Sequence, residues 1–472
     1  MTVGTHSPRQ RATPSRWLAL AVLCGGLLMI ILDGTIVSMA LPSIQADLGF
    51  SPEGLAWTVN AYLIPLGGLL LLAGRLGDLL GRRRMLISGL ALFVVASLLC
   101  GLAVGAEMLI AARFLQGIAA AMTSSVILGM IVELFPDPAE RGKAMGAYAF
   151  VGAAGASIGT VLGGILTEAA GWPWIFFVNV PIGLVVVVLA LRTLAPDGER
   201  RDSGTPDVLG GALVTAGLVL VVFTIVAETG LIARVGTGVL AVALLAAFVL
   251  RQRRIAEPLV NLQIFTSRAV TGGNIAQLLV VAGMMGFQFI VALYLQRSLG
   301  LPPAQAGLAL LPVPLVIAAV SLAAAGRLIA RFGTRAVLLA GEAVLVVGLS
   351  TLAITPASSY LIGVLPVMVL LGIGAGVVLP AVTTIMMSEA TPADAGLASG
   401  LANTSQQVGA ALGTAVLAVL AAAHTEALLG GGASEAVALT GGYQLAFGVG
   451  AALAAAGTLV TLTILRRPRA RA

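Results

Sequence analysis

Two charged side chains stand inside stretches that are otherwise apolar. Asp33 lies in LDGTIVSMALP (residues 32–42), directly after a run from Trp17 to Leu32 made only of apolar residues and glycine. Arg113 opens RFLQGIAAA (residues 113–121), with Gln116 and Gly117 at i+3 and i+4 on the same helical face. A charge at the middle of a membrane helix costs at least about 2.5–3.5 kcal/mol on insertion scales, so each group needs a partner or water. A carboxylate held at that depth can bind a proton or a cationic substrate, depending on whether an arginine or water faces it. A static buried ion pair or a snorkelling side chain is the plainer alternative.

A second constellation is GRLGDLLGRRR, residues 74–84. Gly74 and Gly81 permit close helix approach and a tight turn. Asp78 can pair with one of Arg75, Arg82, Arg83 and Arg84, or face a helix N-terminus. Either arrangement would latch two helix ends together in one conformation; a loop that only sets topology is the simpler reading. A third pattern is GAAGASIGTVLGG (residues 152–164), where Gly155, Gly159 and Gly163 recur every four residues, with Gly164 beside them. Such a stripe suits close packing of membrane helices.

The elements that must position these groups follow from composition. The 472 residues are 59% hydrophobic and 10% charged. Soluble domains carry about 25% charged residues, so the solvent for this chain is a bilayer. About fourteen apolar runs are long enough to span one, roughly at 17–41, 55–73, 85–105, 107–132, 143–166, 174–194, 208–228, 235–250, 270–294, 305–327, 336–354, 360–386, 396–422 and 443–465. Backbone groups have no water partners in hydrocarbon, so these runs are expected to be helices. Asp33 then sits about eight residues before the outer end of span 1, and Arg113 about seven after the outer start of span 4. At about 1.5 Å per residue both lie roughly 10–12 Å below the outer surface, at matching depth. They are expected to meet at a water-reached pocket between spans 1 and 4.

The first run follows Arg9, Arg11 and Arg16, but it is too long for a signal peptide and many spans follow, so no cleavage is expected. The formal charge is +6. Of the 26 basic residues, 23 fall in the tails and even-numbered connections when the N-terminus is placed inside; Arg234, Arg297 and the intrahelical Arg113 are the exceptions. The excess is therefore an orientation signal and not a nucleic-acid patch. It predicts both termini in the cytoplasm, including the tail with Arg466, Arg467, Arg469 and Arg471. Cys24 and Cys100 fall inside spans, and His6 and His424 are the only histidines and lie far apart. No disulfide framework, metal site or cofactor is expected. No phosphate-binding GxxxxGK[ST] loop occurs, so an ion or substrate gradient is the expected energy source.

An internal repeat divides the chain. GRLGDLLGRR at Gly74 recurs as GRLIARFGTR at Gly326, where Ala330 replaces the aspartate; PAERG recurs as PADAG, and GASIGT as GAALGT, at offsets of 252–254. Two halves of like orientation imply parallel repeats. The expected units are an N-terminal six-helix bundle (1–195), an inserted helix pair (196–255) and a C-terminal six-helix bundle (256–472).

This ordered set resembles the major facilitator superfamily, and specifically its fourteen-span drug:proton antiporters. LDGTIVSMALP, GRLGDLLGRRR, RFLQG, the glycine stripe with WPWIFFVNVPIG, and GLASGLANTSQQVGAALG (residues 396–413) carry the resemblance over nearly the whole chain. It implies proton or cation coupling at Asp33, a proton-transfer site at Arg113, a cytoplasmic gate at Arg75, Asp78 and Arg82–Arg84, and bending and sealing by the span 5 stripe. Two departures stand out. Thr160 replaces the usual proline, which puts a kink there in question, and Pro173 replaces the usual arginine between Trp172 and Trp174.

Other polar residues admit more than one role. Glu342 reads as an inner-end residue of span 11 reaching the interface, with cavity lining or a second protonatable site as alternatives. Glu228 reads as a loop edge, and Glu133 and Glu389 as part of the gate region. Asn274, Gln277, Gln288, Asn403, Gln406 and Gln407 are candidates to line a cavity or to bond between helices, and the pattern does not sort them. The expected protein is an all-α transporter of the bacterial cytoplasmic membrane, working as a monomer and exporting a small amphipathic drug or antibiotic in exchange for protons. An uptake symporter of the same fold and a non-transporting sensor are the alternatives. Twenty-five arginines against one lysine suggest a high-GC bacterium, where export of a self-made antibiotic would fit.

Overall fold

The apolar runs do fold as helices. In the computed structural model, which describes residues 16–197, 205–227, 229–354, 359–388 and 395–465, fourteen helices are long and apolar enough to cross a membrane, and no strand occurs among the described residues. They are α1 (Arg16–Leu48), α2 (Gly54–Leu80), α3 (Arg82–Gly101), α4 (Ala106–Leu134), α5 (Glu140–Ala170), α6 (Trp174–Thr193), α7 (Val208–Val226), α8 (Leu231–Gln252), α9 (Arg268–Ser298), α10 (Pro303–Phe332), α11 (Thr334–Ile354), α12 (Tyr360–Ser388), α13 (Leu397–Gly430) and α14 (Glu435–Thr463). Glu228, Glu389 and the basic residues of both tails, Arg16 apart, lie outside the described residues.

Several helices overrun their apolar runs, because a helix continues into the interface as long as its backbone bonds are made. The overrun corrects the depth estimate for Asp33, which lies about four turns, not two, from the end of α1 at Leu48. α5 runs without interruption through Thr160, whose hydroxyl donates back to the Ser157 carbonyl at 2.9 Å. The helix therefore carries no break at Thr160. Pro173 sits just before the first turn of α6, where a missing N–H costs nothing. The adjacent Trp172 indole donates to Asp47 at 2.8 Å and ties α6 to the far end of α1.

Helices α1–α6 form one bundle and α9–α14 the other. The end that carries Arg16, the α2–α3 turn and Arg251 is here termed the basic end. Two seams join the bundles. In one, α5 meets α10: a methyl group at Gly164 or Gly307 would strike the backbone of Pro303 or Thr160 across the seam. In the other, α2 meets α13, where the Thr404 hydroxyl donates to the Gly67 carbonyl at 3.2 Å. The inserted α7 lies on this second seam. Its Val222 and Val226 share an apolar cluster with Ile64 of α2 and Ala411 and Ala415 of α13.

Away from the basic end the bundles are tied together. Gln296 donates to the Met39 carbonyl at 3.2 Å, the Ala304 N–H to Glu168 at 3.1 Å, and Arg297 to Gln45. At the basic end they part around a cavity of about 650 Å³ between α1, α2, α4, α5 and α13.

Candidate functional site

Asp33 and Arg113 meet. Arg113 Nη1 donates to Asp33 Oδ2 at 2.5 Å, and both side chains are shut off from solvent, at 1% and 0% exposure. Removing water from both charges is costly unless their remaining bonding capacity is filled. Here it is. Asp33 Oδ1 accepts from Gln116 Nε2 at 3.1 Å and from Asn179 Nδ2 at 2.9 Å. Arg113 also donates to the Thr58 carbonyl and to Gln116 Oε1, both at 2.9 Å. Its guanidinium lies 4.5 Å from the Tyr62 ring centroid and 5.7 Å from that of Phe176, a favourable contact for a desolvated cation. Gln116 is itself held, donating to Ser97 at 2.8 Å and accepting from the Cys100 thiol at 3.2 Å. Five helices of the first bundle, α1, α2, α3, α4 and α6, converge on this network.

Local packing explains the convergence. Gly117, one residue beyond Gln116, lies against the Tyr62 carbonyl and Pro65, so α4 and α2 approach too closely for any side chain at that position. This approach brings Tyr62 over the guanidinium. The Tyr62 hydroxyl donates to the Ile30 carbonyl at 3.0 Å, and Ile30 lines the cavity. The expected water-reached pocket beside the pair is therefore corrected: neither Asp33 nor Arg113 lines the cavity. Tyr62, Phe176 and Asn179 fill the space that water would need. Sequence reasoning missed Thr58, Tyr62, Ser97, Cys100 and Asn179. Of these only Asn179 left a clear signal, as the one hydrophilic side chain in the otherwise apolar IFFVNVPIG.

At the basic end Asp78 pairs with Arg82, at 2.9 Å, and Arg82 also meets Glu133 at 3.0 Å. These contacts tie the ends of α2, α3 and α4. The N-terminus of α3 is faced not by Asp78 but by Asp197, whose carboxylate accepts from the Arg83 and Arg84 N–H groups at 2.8 and 3.1 Å. Gly81 has φ +106°, and a Cβ there would overlap the Asp197 carboxyl, so glycine is needed twice over. Arg83 donates to the Leu191 carbonyl of α6 at 2.9 Å. Arg75 meets Glu257 at 3.0 Å, in the segment between α8 and α9, and Gly74 lines the cavity.

That segment is anchored to the inserted pair. Asp207, at the start of α7, accepts from Arg251 Nε at 2.6 Å, Gln252 Nε2 at 2.7 Å and the Gly210 N–H at 2.8 Å. Burial opposes its ionisation, but these bonds and the Arg251 charge outweigh it and hold the carboxyl below its ordinary value. Gln252 Oε1 in turn accepts from the Val260 N–H at 3.1 Å, and Leu259 lines the cavity.

The glycine stripe faces two ways. Methyl groups at Gly155, Gly159 and Gly163 would crowd Leu28, Thr35 and Ile36 of α1, whereas Gly164 faces α10 of the other bundle.

The second-half polar residues separate clearly. Asn403, Gln406 and Gln407 line the cavity, and Gln277 lines a smaller one of about 110 Å³ with Asn403 and Gln406. Asn274 does not; it accepts from Ser405 at 2.7 Å and so bonds α9 to α13. Gln288, half-buried on α9, lines neither cavity. Glu342 lines neither and does not reach the interface. It is fully buried, accepting from the Thr461 hydroxyl of α14 at 2.9 Å, because Gly341 draws α11 tightly onto α12. Among the described residues no group of histidine, cysteine and acidic side chains could hold a metal.

Two six-helix bundles, tied at one end and parted around a cavity at the other, define a membrane carrier. The chain belongs to the major facilitator superfamily, whose family profile matches residues 23–414. A puromycin resistance protein of Streptomyces alboniger is 38% identical over 459 residues, covering 94% of this chain and 90% of that protein. A cephamycin export protein of Amycolatopsis lactamdurans is 37% identical, covering 88% and 87%. A multidrug efflux pump of Mycolicibacterium smegmatis is 33% identical, covering 88% and 82%. In fold the chain is similar to a bacterial homologue of the human lysosomal transporter Spinster, with TM-score 0.69 at 15% identity, over 97% of this chain and 100% of that one. The fourteen spans and bacterial relatives make it a multi-pass bacterial membrane protein.

Proposed function

We propose that the protein is a secondary active transporter that exports small amphipathic drugs or antibiotics from the bacterial cytoplasm in exchange for protons. The names of its relatives support drug export. The basic residues support placing the basic end and both termini in the cytoplasm. The cavity then faces inward, and the two bundles rock about it to alternate access. The units that move are 1–195 and 256–472, and 196–255 rides on the second seam. The protein works as a monomer in the bilayer.

The observation that carries proton coupling is the buried Asp33–Arg113 contact, on two helices, α1 and α4, that both line the cavity, α1 in the turn next to Asp33. An ionised Asp33 holds α1 to α4 through Arg113 and Gln116, and to α6 through Asn179. A proton on Asp33 cancels the attraction to Arg113 and loosens all three ties. The equilibrium between inward and outward states then shifts by the difference in proton affinity between them. Asp78, Arg82 and Glu133 act as the gate latch, Arg75 links it to the segment after α8, and Gly164 closes the outer seam.

Proton release from energised everted vesicles on adding a drug tests this reading. The native chain is expected to respond, Asp33→Glu to keep a response, and Asp33→Asn, present in the membrane at equal level, to lose it. A native-like response from Asp33→Asn would rule out coupling at Asp33. No response to any drug would favour the uptake symporter.

A further inference from the structure

The cavity lining narrows the substrate class. One wall, on α13, presents the amides of Asn403, Gln406 and Gln407 and the hydroxyl of Ser399; the facing wall, on α4, presents Ser124 and Ser125. Between them the surface is mostly aliphatic, with Ile30 and Ile31 of α1 and Leu66 and Leu70 of α2, and Tyr148 of α5 is the one aromatic side chain in the lining. At about 650 Å³ it holds a drug-sized molecule.

Charged side chains line it only at the mouth, and each is matched there. Arg75 meets Glu257, and Asp78 meets Arg82, which also meets Glu133. The one carboxylate deeper in the first bundle, Asp33, is sealed away and neutralised by Arg113. A lipophilic cation entering this cavity leaves water and meets no counter-charge beyond the mouth, and such uncompensated desolvation is costly. An uncharged molecule pays no such penalty. Its carbonyls and hydroxyls find amide and hydroxyl partners on two walls, and its apolar face finds the leucines and isoleucines.

We propose that this cavity selects uncharged amphipathic molecules rich in carbonyl and hydroxyl groups over lipophilic cations, and that Asn403, Gln406 and Gln407 set this preference. The inference rests on the drug-export reading. It is tested by direct accumulation of probes in energised everted vesicles, with chloramphenicol as the uncharged probe and tetraphenylphosphonium as the cation. The native chain is expected to accumulate chloramphenicol at least tenfold over vesicles lacking it, and tetraphenylphosphonium no more than those vesicles do. Asn403→Asp, nearly isosteric and exposed in the cavity, and Gln407→Glu each place a carboxylate on the α13 wall. Each is expected to raise the cation-to-neutral ratio at least fivefold. Native accumulation of the cation at or above the neutral probe, or a ratio unchanged in both variants, overturns the inference and leaves export standing. Accumulation of neither probe overturns both.

Discussion

Asp33 is tolerated inside an apolar helix because three donors from α4 and α6 converge on it. The arrangement is asymmetric in its energetics. Replacing a whole buried ion pair by apolar groups can be neutral, but removing one partner strands the other, at about 3–5 kcal/mol. Asn179 offers a milder probe, since it carries no charge. Asn179→Leu removes one hydrogen bond to a charged group, a loss of about 1.5–3 kcal/mol. The expected outcome is a lower melting temperature of the purified protein in detergent, together with weaker drug-stimulated proton release at equal membrane level. Unchanged melting and release would show that Asn179 does not support Asp33. Asp33 and Arg113 were legible as a pair because each is a charge set several residues inside an otherwise apolar stretch. Tyr62 and Thr58 were not legible, since a tyrosine in a helix and a backbone carbonyl carry no signature of their partners.

At the scale of helices, the glycines of α5 divide into two jobs that the sequence runs together. Gly155, Gly159 and Gly163 hold α5 against α1 within one bundle, while Gly164 lies in the seam with α10. A bulky side chain within the bundle should weaken it in every conformation. One in the seam should oppose only the conformation in which the seam is closed. Gly164→Val is therefore expected to favour the state with the basic end shut, and to reduce maleimide labelling of a cysteine placed at Asn403 at least threefold. Gly155→Val is expected to lower thermal stability without that selective protection. Equal labelling in both variants would contradict the division. The inserted pair also gains a definite place. Asp207, Gln252 and Val260 chain α7 and α8 to the segment whose Glu257 reaches Arg75.

For the whole molecule, the seams at one end and the cavity at the other describe a single member of an alternating pair of states. Its orientation is a prediction of charge placement. A cysteine replacing Arg234, one of the few basic residues outside the basic end, should react with an impermeant maleimide added to intact cells, and one replacing Arg254 should react only after permeabilisation; the reverse pattern would invert the topology. The sequence by itself determined the fourteen helices, the repeat and the two isolated charges, because hydrocarbon leaves the backbone one solution and makes every intramembrane charge conspicuous. Only the tertiary structure decided that the pair is dry, that Glu342 bonds Thr461 within its own bundle, and which amides of the second half face the cavity. Those outcomes depend on which side of each helix meets which neighbour. In helices apolar all round, periodicity carries almost no record of that choice, and close glycine contacts between helices make it.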